Sequence, residues 1–64
     1  MKIKIKSFNG ELPSYLTEGK EYEITHDFMD GDLGLEDDDG FWFITRIDEP
    51  CSFLNGGSWE IVSE

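Results

Sequence analysis

"DFMDGDLGLEDDDGFWFI", residues 27–44, decides how this chain is read. Seven carboxylates crowd the segment, which then runs into three consecutive aromatics, Phe41, Trp42 and Phe43. Asp30-Gly31 and Asp39-Gly40 supply residues that tolerate the positive φ of a tight turn. Between them Leu33 and Leu35 alternate with Gly34 and Glu36, a period of two that marks a short strand. The run "FWFITRI", 41–47, is rich in aromatic and β-branched side chains and is the strongest strand former in the chain. Period two puts Phe41, Phe43, Thr45 and Ile47 on one face, and Trp42, Ile44 and Arg46 on the other. Both faces are apolar, yet a thin barrel has one inside. Three readings are open: "FNGELPSYL" (8–16) folds back over the outer face, a strongly curled strand serves two parts of the core, or Trp42 is an exposed anchor.

Working outward, residues 2–6 read Lys-Ile-Lys-Ile-Lys, a half-buried strand whose lysines discourage edge-to-edge association. A long loop comes next, punctuated by Asn9-Gly10, Pro13 and Gly19. Tyr22-x-Ile24 gives a second strand with Glu21, Glu23 and Thr25 facing water. After the aromatic strand, "DEPCSFLNGG" (48–57) is irregular with room for one helical turn, and "SWEIV" (58–62) supplies the last strand, with Trp59 packed inside or against the barrel end. No segment offers ten residues at helical spacing. The expectation is an all-β fold, a single five-stranded barrel domain over residues 1–64.

A chain of 64 residues makes one domain with a small core. Aromatics at 14% favour a folded protein over a disordered acidic tail. Cys51 is the single cysteine, so no internal disulfide forms, which suits a reducing cytosol. "MKIKIKS" lacks the continuous apolar run of a signal peptide or anchor, so the expected location is cytoplasmic. Fifteen acids against five bases give a net charge of −10, which repels nucleic acid and anionic membranes and steers the protein toward cationic surfaces. The charge is uneven: Glu18 to Asp39 holds ten acids against Lys20 and His26, while Lys2, Lys4 and Lys6 line the first strand.

The pieces "LTEGKEYEI", the acidic "DDDG" turn, the aromatic strand and "GGSWEIV" together resemble small bacteriophage and prophage proteins with Src-homology-3-like barrels. The resemblance spans residues 12–62. It implies that barrel and a phage origin, with the host cytoplasm as location, and it brings no catalytic residue.

Reactive constellations are missing. An EF-hand needs glycine at position six of its loop, but counting from Asp30 puts Leu35 there, and counting from Asp37 puts Trp42 there. No metal or cofactor is expected. His26 and Cys51 are single copies far apart in the chain, Gly56-Gly57 lacks the lysine and helix of a phosphate cradle, and the protein is read as a non-enzyme. The leading expectation is an acidic binding protein, a monomer, that modulates or inhibits a host protein with a basic surface. Asp37, Asp38 and Asp39 would steer the encounter, and Trp42 with Phe41 or Phe43 would anchor it. Two readings of the carboxylate run stay open: a solvated face that keeps the domain from aggregating, or an imitation of a phosphate backbone that occupies a nucleic-acid-binding site. Two alternatives compete. One is an adaptor for a proline-rich or basic peptide, with Tyr15, Tyr22 and Trp42 as its groove. The other is a phage structural or assembly component, whose first strand pairs with a neighbouring chain.

Overall fold

Alternating side chains in the first strand send Ile3 and Ile5 inward and Lys2, Lys4 and Lys6 outward, and the rest of the sheet is built on that parity. The computed structural model describes residues 1–62. Its strands are β1 (Lys2–Ser7), β2 (Tyr22–Asp27), β3 (Asp32–Glu36), β4 (Trp42–Arg46) and β5 (Ser58–Val62), with one 3₁₀ turn at Ser52–Leu54. All pairings are antiparallel, in one five-stranded sheet of order β4-β3-β2-β1-β5. The fold is all-β. The two edge strands, β4 and β5, share no ladder, so the sheet curls without closing. Its ends nevertheless meet through side chains: Phe43 on β4 lies 6.4 Å from Trp59 on β5, ring centre to ring centre.

The core is the concave side of this curl. Ile3, Ile5, Leu16, Tyr22, Leu33, Leu35, Cys51, Leu54 and Trp59 are buried there. Trp59 packs edge-on against Tyr22 at 5.8 Å, but its indole N–H is buried without an acceptor. The long loop after β1 lies on the inner side as well, with Phe8, Leu12 and Tyr15 packed on the core and Leu16 within it. This overturns the reading in which "FNGELPSYL" covers the outer face of β4. The loop is drawn inward because the concave side needs its apolar groups: a five-stranded sheet that does not close cannot seal its own core.

Two irregularities set the curl. Between Ile5 and Ser7 the register against β5 shifts by one residue, and so does the register of β2 against β3 between Ile24 and His26. Each is a bulge, which bends the strand and reverses the parity of the residues beyond it. In β2 the consequence reaches the surface. Ile24 sits opposite Leu35 and faces in, but His26 sits opposite Gly34 and Asp27 opposite Leu33. Parity without the bulge would have turned His26 and Phe28 inward.

Candidate interaction surface

The outer face of β2, β3 and β4 carries a cluster of exposed rings. Gly34 on β3 has no side chain, and the Trp42 indole lies across it; a Cβ there would overlap the six-membered ring. The indole N–H donates to Thr25 Oγ1 at 3.0 Å, and that hydroxyl donates to the Gly34 carbonyl at 3.1 Å. Trp42 is thereby held flat on the sheet with one face to solvent, and it remains 51% exposed. Phe28 packs beside it at 6.2 Å between ring centres, and His26 packs on Phe28 at 4.4 Å. Ile44, also exposed, extends the surface along β4. The result is a preformed apolar platform on a sheet, which costs little ordering entropy on binding.

Acids border the platform without entering it. Glu36 lies opposite Trp42 in the β3–β4 ladder, and Asp32 lies opposite Arg46. Arg46 is occupied: its guanidinium donates to Asp32 at 2.7 Å and to the Asp30 carbonyl at 3.0 Å, with Asp48 and Glu49 each at 3.4 Å. That clamp ties the β2–β3 turn to the end of β4 and uses the only arginine in the chain. Further along the same outer face two of the β1 lysines stand opposite carboxylates in the ladder, Lys4 opposite Glu60 and Lys2 opposite Glu23.

The three aspartates expected to steer a partner have different situations. Asp38 is a structural hub. It accepts from Thr17 Oγ1 at 2.6 Å, Lys20 Nζ at 2.6 Å and Tyr22 Oη at 2.9 Å, and its own N–H donates to the Tyr15 carbonyl at 2.9 Å. The Lys20 ammonium, then the Thr17 hydroxyl, hold its carboxyl below the usual carboxylate range. The same ion pair raises the Lys20 ammonium, and burial raises the Tyr22 phenol. Asp37 closes the turn by accepting from the Asp39 and Phe41 N–H groups at 2.9 and 3.0 Å. Asp39 is exposed at the tip of the turn.

Of the three aromatics, Trp42 alone belongs to the outer platform. Phe41 is 72% exposed and precedes the strand. Phe43 faces in and packs on Phe53 at 5.0 Å. Sequence parity placed Trp42 and Ile44 together but missed Phe28 and His26, because a bulge leaves no readable mark in the residue pattern.

Two expected alternatives lose their geometry. Tyr22 is buried with its hydroxyl bound to Asp38, and Tyr15 packs on the core, so Tyr15, Tyr22 and Trp42 form no common groove. β1 is an interior strand with β2 on one side and β5 on the other, so it offers no edge to a neighbouring chain. Among the described residues no group of three or more His, Cys, Asp or Glu side chains could hold a metal ion, and no helix is long and apolar enough to cross a membrane. No protein-family model, curated protein or solved structure matches the chain.

Proposed function

We propose that this protein is a non-enzymatic, phage-encoded binding protein that docks the outer face of its β2–β4 sheet onto a basic surface of a host protein. The observation that carries the reading is Trp42: a large ring fixed by Gly34 and Thr25, half open to solvent, next to Phe28 and Ile44. Exposed clusters of this kind, rimmed with polar groups, are how interface anchors are built. The net charge of −10 supplies the second half, a field that speeds encounter with a cationic patch and weakens with salt. Glu36 and Asp39 are the steering acids nearest in sequence to the anchor, with Asp37 holding the turn and Asp38 spent on the fold. A surface that otherwise meets nucleic-acid phosphates is the kind such a domain would cover. His26 is on the outer face and Cys51 is buried inside, bonded by Thr45, which supports a binding role over nucleophilic catalysis.

The test is capture of a partner from bacterial lysate at low and moderate salt, followed by calorimetry with the purified partner. Trp42→Ala is expected to weaken affinity by about 30-fold, the level of an interface hot spot. Asp39→Asn with Glu36→Gln is expected to slow association and flatten its salt dependence. An affinity untouched by Trp42→Ala would remove the outer face as the docking site.

A further inference from the structure

A second apolar surface lies at the opposite side of the sheet, where the curl fails to close. On β5, Trp59 and Ile61 both point to the concave side, since they stand opposite Ile5 and Ile3 of β1. Trp59 is buried, whereas Ile61, two residues on, is 58% exposed. The inner row of the sheet thus runs out into solvent. Ile61, Leu33, Ile47, Met1 and Met29 line an open groove of about 500 Å³ at this mouth, with Asp27 and Asp48 on its walls. Neither the loop after β1 nor the 3₁₀ turn lines it.

Met29 is the second sign that the mouth is built for something. It takes a left-handed backbone, φ 70°, in the same turn in which Gly31 also has positive φ, and its side chain is 88% exposed. Asp27 Oδ1 holds the turn by accepting the Met29 N–H at 2.9 Å. An unbranched thioether kept at the lip of an apolar groove can adapt to what enters. Backbone strain of this kind persists where the surroundings hold it, and it gathers at binding sites.

We propose that this mouth is a binding site for a bulky apolar side chain presented by a lysine- or arginine-bearing segment of a partner protein. Charge selects this occupant. The lining contains two carboxylates and no lysine or arginine side chain. The cations close to it are engaged: the Met1 ammonium pairs with Glu23, and Arg46 with Asp32, Asp48 and Glu49. A second copy of this chain would bring ten more negative charges against the same rim. A neutral apolar ligand would do nothing for the negative charge of Asp27, whose Oδ1 accepts only a backbone N–H, or of Asp48, which shares Arg46 with Asp32 and Glu49. A cationic segment satisfies both, the ring or branched side chain filling the groove and the flanking ammonium or guanidinium groups meeting the two aspartates. The proposal does not rest on the outer platform, which faces away from this groove.

The experiment is an NMR titration of the full chain with three capped peptides: alternating lysine and phenylalanine, lysine and serine, and glutamate and phenylalanine. The lysine–phenylalanine peptide is expected to give saturable shifts in the Ile61, Ile47, Leu33 and Met29 methyls. Ile61→Asp, a change at an exposed position, should weaken it at least tenfold, while Trp42→Ala should leave it unchanged. Asp27→Asn with Asp48→Asn should weaken it several-fold and leave the thermal midpoint near wild type. Equal binding of the lysine–serine peptide would show charge attraction alone and overturn the proposal. So would equal binding of the glutamate–phenylalanine peptide, which would indicate a neutral apolar site. Shifts confined to Trp42 and Phe28, or concentration-dependent shifts at Ile61 without any peptide, would equally overturn it, the first assigning basic peptides to the platform and the second assigning the groove to self-association.

Discussion

The two acidic turns, residues 28–31 and 37–40, are close cousins in sequence and opposites in structure. Each joins neighbouring strands, each contains an Asp-Gly pair, and each has its glycine at positive φ, Gly31 at 102° and Gly40 at 85°. The second turn is bound into the molecule: Asp38 collects three side-chain hydrogen bonds and pins the loop after β1 through Thr17, Lys20 and Tyr22. The first turn is held by the Arg46 clamp and by its own aspartates, Asp27 and Asp30, which accept backbone N–H groups within the turn. It sends Phe28 to the outer platform and Met29 to the open mouth. One acidic turn secures the core; the other displays apolar side chains. Carboxylates that look equivalent in a charge count therefore divide into structural groups and solvated groups, and only the geometry assigns them.

The contrast breaks most visibly at Asp38. Asp38→Ala removes the acceptor for three donors, one of them the partly buried Tyr22 hydroxyl, and should destabilise the fold by about 2 kcal/mol. The equivalent change in the first turn, Asp30→Ala, loses one exposed contact and should cost well under half of that. Denaturant titration of the two variants reads the difference directly, and equal losses would dissolve the distinction. The Asp38 contribution also carries a pH signature. Its carboxyl is depressed in the folded protein, so the unfolded state takes up a proton first as pH falls. The stabilisation is thus complete above the ordinary aspartate value near 3.8 and is lost as pH drops through the lower folded value. The stability gap between wild type and Asp38→Asn should be constant at neutral pH and shrink in that acid window; a gap that widened on acidification would contradict the assigned sign.

Gly34 is the next largest lever and acts on the display side of the comparison. Gly34→Ala places a methyl group where the Trp42 ring lies, so the indole must lift from the sheet and release Thr25. Overpacking of this kind costs about 1–2 kcal/mol. Since the clash is with one side chain, the loss should vanish in a Trp42→Ala background, where alanine in a strand is better than glycine. A double-mutant cycle measures it, and additive effects would mean that Gly34 is needed for its backbone rather than for the ring above it.

Much of this architecture was legible in the residues alone. The alternation in "KIKIK", Tyr22-x-Ile24, the Leu33-Leu35 pair, the aromatic run and "SWEIV" locate all five strands to within about two residues at their ends. Each of those signals is local: a two-residue period and a glycine turn are written in neighbouring positions. The helical turn in 48–57 was legible for the same reason, and Trp59 was narrowed to the inside or the barrel end, of which the structure shows the inside. The features that could not be read depend on pairing across distance. The bulge at Thr25 reverses the parity of β2 and moves Phe28 beside Trp42, and no residue type announces it. The inward path of the loop after β1 depends on Asp38 reaching Thr17 and Tyr22, which are remote in sequence. The open mouth arises because the edge strands do not pair, a property of the whole sheet.

The smallest effect is at Met29, and it runs opposite to the others. A non-glycine residue at φ 70° is strained, and glycine at that position adopts the same backbone without the Cβ penalty. Met29 is almost fully exposed, so its side chain contributes little packing to be lost. Met29→Gly should therefore stabilise the fold, the relief of strain outweighing the larger entropy of the unfolded chain by about 0.5 kcal/mol. The same change removes the thioether from the lip of the groove and should weaken the lysine–phenylalanine peptide there. Stability gained together with affinity lost is the pattern expected when a turn is kept strained for display rather than for folding. If Met29→Gly proves destabilising, the side chain is packing on the groove walls in the free protein, and this turn secures the core after all, as its acidic cousin does.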